Sequence, residues 1–255
     1  MSIYGTATVL RNFEIAQGIW QMELFAPQIA TVASPGQFIN LYPNDNTLFL
    51  PRPISLSAIL TEEIQIIYRV VGHGTRQFSN LQSGEEIKIM GPLGNGFTLP
   101  NADKQNIVIG GGLGIPPLSE LVRRLKGRTE VFLGFSGEVF LTEEFDRPGI
   151  TVHIATQDGS RGYCGNVMDL VKHISPVGNY VFACGPRPML KSVAQWANAH
   201  DIPAQLSMEE RMACGHGACL GCAVKIRKEG MRDWEYLKVC KDGPVFDGRE
   251  VIWDE

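Results

Sequence analysis

Four of the six cysteines carry the most specific chemistry in the chain. Cys214, Cys219 and Cys222 are spaced C-x4-C-x2-C inside one glycine-rich loop, and Cys240 follows a hydrophobic, hairpin-like detour through Ala223 to Val239. This is the plant-type [2Fe–2S] spacing. A thiolate-bound cluster is anionic, so burying it needs backbone N–H groups turned toward the sulfurs. Gly215, Gly217 and Gly221 allow that turn because they have no side chain in the way. A structural zinc would prefer paired C-x2-C knuckles, and the loop has one. Disulfides would need an oxidising compartment, and no export signal is expected at the start, Met1-Ser2-Ile3-Tyr4. The spacing favours the cluster over both.

Three other stretches suit phosphates and redox groups. Pro51-Arg52-Pro53-Ile54-Ser55 holds a guanidinium between two prolines, and its planar fork matches a pyrophosphate. Tyr68-Arg69-Val70-Val71-Gly72-His73-Gly74-Thr75 runs from a strand through a G-x-G-T turn into a short helix expected over Arg76–Leu81. The amides at that helix start, with the Thr75 hydroxyl, could receive a phosphate. Gly110-Gly111-Gly112-Leu113-Gly114 lies between a strand and a helix that begins Pro116-Pro117. It is not G-x-G-x-x-G, but it lets a pyrophosphate approach a helix N-terminus in the same way. A purely structural strand edge, or a simple glycine turn, remains the alternative for each stretch. Cys184 opens a Cys-Gly-Pro sequence after a strand, and a core thiol is the alternative there. Cys164 matches nothing and reads as incidental.

These residues need elements to aim them. From Thr6 to Met90, six short β-type runs separated by turns read as a small antiparallel barrel or sandwich. After a polar linker at Pro100-Asn101-Ala102-Asp103 the pattern changes to strands alternating with helices, a doubly wound parallel α/β domain. The expected fold class is α+β multidomain, divided as 1–99 (barrel), 100–205 (α/β) and 206–255 (cluster).

Composition narrows the partners. The chain is 44% hydrophobic and 20% charged, with net charge −4, which is ordinary for a globular protein and lacks the basic face a nucleic-acid partner requires. No apolar run reaches membrane-spanning length, so the expectation is a soluble, cytoplasmic protein.

The R-P-I-S and G-x-G-T pair resembles the FAD-binding barrel of the ferredoxin reductase superfamily, which commonly has an aromatic where this chain has Ile54. The resemblance implies that Arg52 and Thr75 hold FAD phosphates and that Ser55 lies near the isoalloxazine. Pro53, Ile54, Arg69, Val70, Val71 and Gly74 complete the flavin set. G-G-G-x-G-x-P-P with the later C-G-P resembles the nicotinamide-nucleotide half of the same superfamily. That implies a nucleotide at Gly110, Gly111, Gly112 and Gly114, with Cys184 beside the nicotinamide. Glu138, an acid with no nearby base in the loop after the next strand, points to NAD rather than NADP, because a carboxylate accepts ribose hydroxyls and repels a 2′-phosphate.

Flavin, nicotinamide and cluster in that order make a converter between two-electron and one-electron chemistry. With the cluster loop at the carboxyl end, after Met208-Glu209-Glu210-Arg211-Met212, the whole chain resembles the electron-transfer subunits of type B, NAD-linked dihydroorotate dehydrogenases. That family implies an FMN-containing catalytic partner subunit, in a heterotetramer of two of each. The partner would be met through the cluster loop, with Met212, Ala218 and Leu220 as its apolar contacts. The alternatives are the flavin subunit of a sulfhydrogenase or a ferredoxin-NAD(P) oxidoreductase, and, in a different class, a non-enzymatic zinc-loop binding protein.

Overall fold

The structure is a computed structural model describing residues 2–44, 47–101, 103–228 and 230–253. Met1 and Ala102, named above in the expected start and linker, lie outside the described residues. β1 (Ile3–Ala16), β2 (Ile19–Phe25), β3 (Phe38–Tyr42), β4 (Arg52–Ile59), β5 (Glu63–Arg69) and β6 (Glu86–Leu93) close into an antiparallel barrel in the order β1-β2-β5-β4-β3-β6. Four of the barrel strands alternate, which fills the interior of the closed sheet. Ala7 and Val9, Met22 and Leu24, Ile64 and Ile66, and Ile87 and Ile89 point inward at two-residue steps and are almost wholly buried. α1 (Pro27–Val32) and α2 (His73–Ser79) lie in the connections. α2 starts three residues before the expected position, because Gly72 takes the N-cap place and the Thr75 hydroxyl accepts from Gly72 N at 3.2 Å and Val71 N at 3.0 Å.

The second unit comprises β7 (Asn106–Gly111), α3 (Pro116–Arg124), β8 (Thr129–Phe135), β9 (Ile150–Thr156), β10 (Tyr163–Cys164), α4 (Val167–Ile174), β11 (Tyr180–Cys184), α5 (Arg187–Ala199) and β12 (Ala204–Ser207). Its sheet is β10-β9-β8-β7-β11-β12, all parallel. Ile107, Ile109, Phe132 and Ala183 turn one way, into the core with α4 and α5. Val108, Val131, Leu133 and Phe182 turn the other way, where they share a core with α3 and with Ile19 and Ile67 of the barrel. One face of the expected doubly wound sheet is thus covered partly by the barrel, which welds the two units together.

The carboxyl segment contains the expected hairpin, β13 (Ala223–Ile226) with β14 (Glu235–Lys238), and then β15 (Val245–Asp247). β15 pairs antiparallel with β12, Ser207 opposite Val245, as a seventh strand of the large sheet. The sheet is therefore not purely parallel, and the division expected at 205/206 falls inside β12. The cluster segment is an insertion between two paired strands. No helix among the described residues is long and apolar enough to cross a membrane.

Candidate functional site

A cleft of about 330 Å³ opens where the three parts meet. The barrel contributes Arg52, Pro53, Ile54 and Ser55 from β4, with Arg69 at the end of β5 and Val71 and Thr75 beyond it. Leu113 and Pro117 form a second wall, and Met208, Glu209 and Met212 form a third. Of the flavin set inferred from the sequence, Val70 and Gly74 do not border this space. Val70 N instead donates to Gly18 O at 2.9 Å.

Gly74 has a different task. A Cβ placed there would lie 2.9 Å from both Nε and Nη2 of Arg52. The bare glycine admits the guanidinium onto the first turn of α2, and Arg52 Nη1 donates to Leu50 O at 2.6 Å to hold it there. The R-P-I-S and G-x-G-T stretches, about twenty residues apart, thereby form one cationic corner. The Thr75 hydroxyl is occupied by the turn itself, accepting from two backbone amides and lying 3.2 Å from Gly72 O. Thr75 shapes the corner rather than presenting a free hydroxyl to it.

Tyr68 and Asn12 were not anticipated from sequence. Tyr68 is fully buried, and its hydroxyl donates to Asn12 Oδ1 at 3.1 Å, while Asn12 Nδ2 donates to Phe78 O at 2.8 Å and Leu81 O at 2.9 Å. Burial pushes the phenol well above its usual range, so it stays a neutral strut beneath α2.

A smaller cleft of about 190 Å³ lies at the carboxyl ends of β7 and β8, bordered by Gly111, Gly112, Ser136, Asn166, Pro186 and Met189. The connection from β7 runs toward β8 on one side while β11 pairs on the other, so the cleft sits at a topological switch point. Gly110, Gly111 and Gly114 are glycines for packing reasons. Added Cβ atoms would meet Ile115 at 2.9 Å, Met189 Sδ at 2.6 Å and Cys184 O at 2.3 Å, whereas Gly112, at φ +54, faces open space. Glu138 does not border this cleft. Its carboxylate accepts from Gln17 N, in the β1–β2 turn, at 3.0 Å.

Cys184 lies between the two clefts. It pairs with Ser207, which borders the flavin-type cleft, and precedes Gly185-Pro186, where the nucleotide-type cleft begins. Burial, reinforced by the charge of Glu209, pushes its thiol far above the ordinary range, so it is present as a neutral SH. Glu209 borders the cleft, and desolvation by the protein around it raises its own carboxyl pKa.

The cluster loop has the amide architecture its glycines suggested. The four sulfurs form two pairs, Cys214 with Cys219 and Cys222 with Cys240. Cys219 N lies 3.4 Å from Cys214 Sγ, and Cys240 N lies 3.5 Å from Cys222 Sγ. Two dithiolate pairs suit two irons. No three of the described Cys, His, Asp and Glu side chains converge on a single ion. Burial alone would raise Cys214, but amides of Cys219, His216 and Ala218 aimed at its sulfur bring it down to about 6. Burial and the neighbouring Cys222 push Cys240 up to about 12, although the Gly217 amide opposes them. Gly215 and Gly217 take φ values of +69° and +91°.

Asn40 on β3 is fully buried, donates to Cys214 O at 3.0 Å, and would be struck by a Cβ on Gly215 at 2.4 Å. Asn95, just past β6, donates to Lys241 O at 3.2 Å and Asp242 O at 3.0 Å. These two asparagines, also unanticipated, tie the loop to the barrel. Cys164 is exposed and belongs to none of these pairs. Of the expected interface residues, Ala218 and Leu220 are exposed, while Met212 is half-buried against the flavin-type cleft.

A closed barrel on a parallel α/β sheet, with a cationic corner on one side of the seam and a glycine-walled switch-point cleft on the other, is the two-domain architecture of the ferredoxin reductase class, here joined to a four-cysteine loop. The comparisons agree. Residues 209–252 match the model for the iron–sulfur cluster binding domain of dihydroorotate dehydrogenase B. The chain is 38% identical to the dihydroorotate dehydrogenase B (NAD(+)) electron transfer subunit of Caldanaerobacter subterraneus, over 97% of this chain and 98% of that one. It is 40% identical to the subunit of the same name from Fusobacterium nucleatum, over 96% of each. Among solved structures, the NADH-dependent reduced ferredoxin-NADP oxidoreductase superposes with a TM-score of 0.85 at 25% identity, covering 97% of this chain and 90% of that one. The ferredoxin reductase of carbazole 1,9a-dioxygenase superposes at 0.65 and 18% identity, covering 79% and 67%. The chain belongs to the family of dihydroorotate dehydrogenase B (NAD(+)) electron transfer subunits.

Proposed function

We propose that this chain carries electrons from a dihydroorotate-oxidising partner to NAD+, holding FAD in the larger cleft, a [2Fe–2S] cluster on Cys214, Cys219, Cys222 and Cys240, and the nicotinamide nucleotide in the smaller cleft. One observation carries the reading: the stretch 208–212 borders the flavin-type cleft and runs directly into the first cluster cysteine. A flavin, when bound, exchanges two electrons with nicotinamide and one at a time with an iron–sulfur cluster.

The chain's own residues then bind and orient. Arg52, lying against Gly74, meets the flavin's pyrophosphate, and the N-terminal turn of α2 fixes that corner. Pro53, Ile54 and Ser55 border the ring, with an aliphatic contact at Ile54 in place of aromatic stacking. Arg69 and Val71 shape the rim, and Val70, bonded to Gly18 O, holds the strand end behind it. Gly112, open to the smaller cleft, gives the nucleotide's pyrophosphate its approach, and Gly110, Gly111 and Gly114 let the turn pack tightly enough to present it. Cys184, as a neutral thiol between the clefts, packs beside the nicotinamide without contributing charge. The backbone amides around Cys214 stabilise the anionic cluster. Glu138 favours NAD over NADP by placing negative charge on that side of the molecule, and the Gln17 amide fixes the carboxylate there.

The partner is an FMN-containing catalytic subunit, met through Ala218 and Leu220 beside the cluster, in an assembly of two of each chain within the cytoplasm. The 0.85 likeness to the reduced ferredoxin-NADP oxidoreductase keeps a ferredoxin-linked reductase as the second reading. Purification settles the choice: the chain should show flavin and [2Fe–2S] absorption, bleach with NADH, and co-elute with an FMN-containing subunit that oxidises dihydroorotate. A chain bleached equally by NADPH, with ferredoxin as its acceptor, would favour the second reading.

A further inference from the structure

Two clefts in adjoining units can exchange a hydride only if something holds their reacting ends at contact distance. The turn leading into α3 stands between them. Leu113 and Pro117 border the flavin-type cleft, while Gly111 and Gly112 of the same turn border the nucleotide-type cleft. The opposite wall of the flavin-type cleft is the start of β4. Two side chains of α3 bond directly to that strand. Ser119 Oγ donates to Ser57 O at 2.6 Å, and Glu120 Oε2 accepts from Ile59 N at 3.1 Å. The joint is close to both sites, because Ser57 is two residues beyond Ser55 on the strand and Ser119 is two beyond Pro117 on the helix. Both side chains are only 2% exposed. Arg124 Nε donates to the other carboxylate oxygen of Glu120 at 2.7 Å, and Arg123, which also pairs with Glu144, lies 3.7 Å from Glu120 Oε2. A carboxylate at that depth is retained only when it is fully partnered. Apolar packing could slide by a fraction of an ångström, but these directional bonds cannot.

We propose that Ser119 and Glu120 are positioning residues for hydride transfer, fixing the offset between the flavin ring along β4 and the nicotinamide at the turn before α3. The inference rests on the flavin and nucleotide sites proposed above. In the transfer, a nicotinamide C–H bond breaks with both its electrons and a bond to the flavin ring forms with them; neither Ser119 nor Glu120 gains or loses a proton.

The test compares Ser119→Ala, Glu120→Ala and Glu120→Gln with the unaltered chain, all loaded with flavin and cluster and mixed with NADH. Misplacement on the ångström scale should slow the single-turnover rate by about ten- to a hundredfold and weaken the long-wavelength NADH–flavin charge-transfer band. Flavin content and the NADH Kd should stay within about twofold, because neither residue touches a ligand. Transfer from photoreduced flavin to the cluster should be unchanged, since it does not cross the joint. Glu120→Gln keeps an oxygen for Ile59 N and should retain more rate than Glu120→Ala. Amide exchange at Ile59 in the cofactor-free chain should be faster in Glu120→Ala and unaltered in Ser119→Ala. Full rate with an intact band in both alanine variants would overturn the proposal. So would parallel loss of flavin, flavin-to-cluster transfer and hydride transfer, which marks a purely structural role. If Glu120→Ala does not fold, Ser119→Ala, which deletes one oxygen atom, decides alone. Failure of the underlying functional reading would appear elsewhere, as an unaltered chain whose flavin NADH does not bleach.

Discussion

Gly74→Ala should separate flavin affinity from stability. The added methyl would stand 2.9 Å from Nε and Nη2 of Arg52. That is closer than a carbon can sit, but the obstructed atoms are the far end of a flexible side chain, so the guanidinium swings away and the fold survives. Gly74 is the second residue of α2, and its φ is not in the left-handed region, so alanine introduces no backbone strain. In a helix the exchange is favourable by up to about 1 kcal/mol. The flavin loses more. Charge-assisted hydrogen bonds from an arginine are worth about 1.5–3 kcal/mol, which is roughly 10- to 150-fold in Kd. Flavin-fluorescence quenching on deflavinated protein gives the Kd, and melting of the same apo protein gives the stability. The expected result is weaker FAD binding with an unchanged or higher apo Tm. Arg52→Ala should produce a similar loss, and the double variant should be scarcely worse than either single one, because both act through one guanidinium. Gly5→Ala, where no atom lies within 4 Å of the added carbon, serves as the inert control. Unchanged FAD affinity in Gly74→Ala, or fully additive losses in the double variant, would refute the cationic corner.

Further substitutions probe the rest of the site. Cys219→Ser should abolish the visible cluster absorption and leave the flavin spectrum, whereas Cys164→Ser should change neither; iron content and absorption decide. Leu220→Glu should weaken assembly with the partner and dihydroorotate-to-NAD transfer while NADH-to-dye activity survives, because a charge is forced into a dry contact; equal loss of both activities would misplace the interface. Glu209 titrates above the ordinary glutamate range because its cleft desolvates it. The folded state therefore holds that proton more tightly than the unfolded chain, and the wild type loses stability as pH rises through the raised value. Glu209→Gln lacks this term, so its Tm advantage should be absent in acid and appear toward neutral and alkaline pH; a constant difference would contradict the desolvation.

What was legible in the sequence is what is local. The cysteine spacing carries its own loop geometry, and the barrel strands announce themselves by two-residue alternation. Gly110–Gly114 marks a strand-to-helix turn wherever the chain goes next. Arg52 and Gly74 could be named, but not their contact, since nothing in either stretch states that β4 and α2 touch. Glu138 could be read as an acid in its loop, but not its neighbour: Gln17, whose amide it accepts from, lies 121 positions away. Asn12, Asn40 and Asn95 were missed for the same reason. A lone asparagine in a strand or turn has no pattern, and each gains its role only from a carbonyl brought to it by the completed fold.

The division expected at 205/206 falls inside a strand with a long-range partner, and that pairing bears on electron transfer. An appended domain would hang from one linker and could swing. Here both ends of the cluster segment are fixed, because β12 leads into it, β15 leads out, and the two strands pair side by side with Ser207 opposite Val245. Between those ends, Asn40 bonds to Cys214 O, and Asn95 grips the carbonyls of Lys241 and Asp242. Asn40 belongs to β3, whose neighbour β4 carries Arg52 through Ser55, with Ile39 paired to Ile54 and Leu41 to Arg52. The cluster loop and the flavin-type cleft are thus mounted on adjacent strands of one closed barrel. A closed barrel does not shear by a residue without losing its whole ladder. The bonds that set the separation between the two, from Asn40, Asn95 and the β12–β15 pair, do not include the α3–β4 joint. Loosening the α3–β4 joint can therefore disturb hydride exchange while leaving the one-electron step untouched.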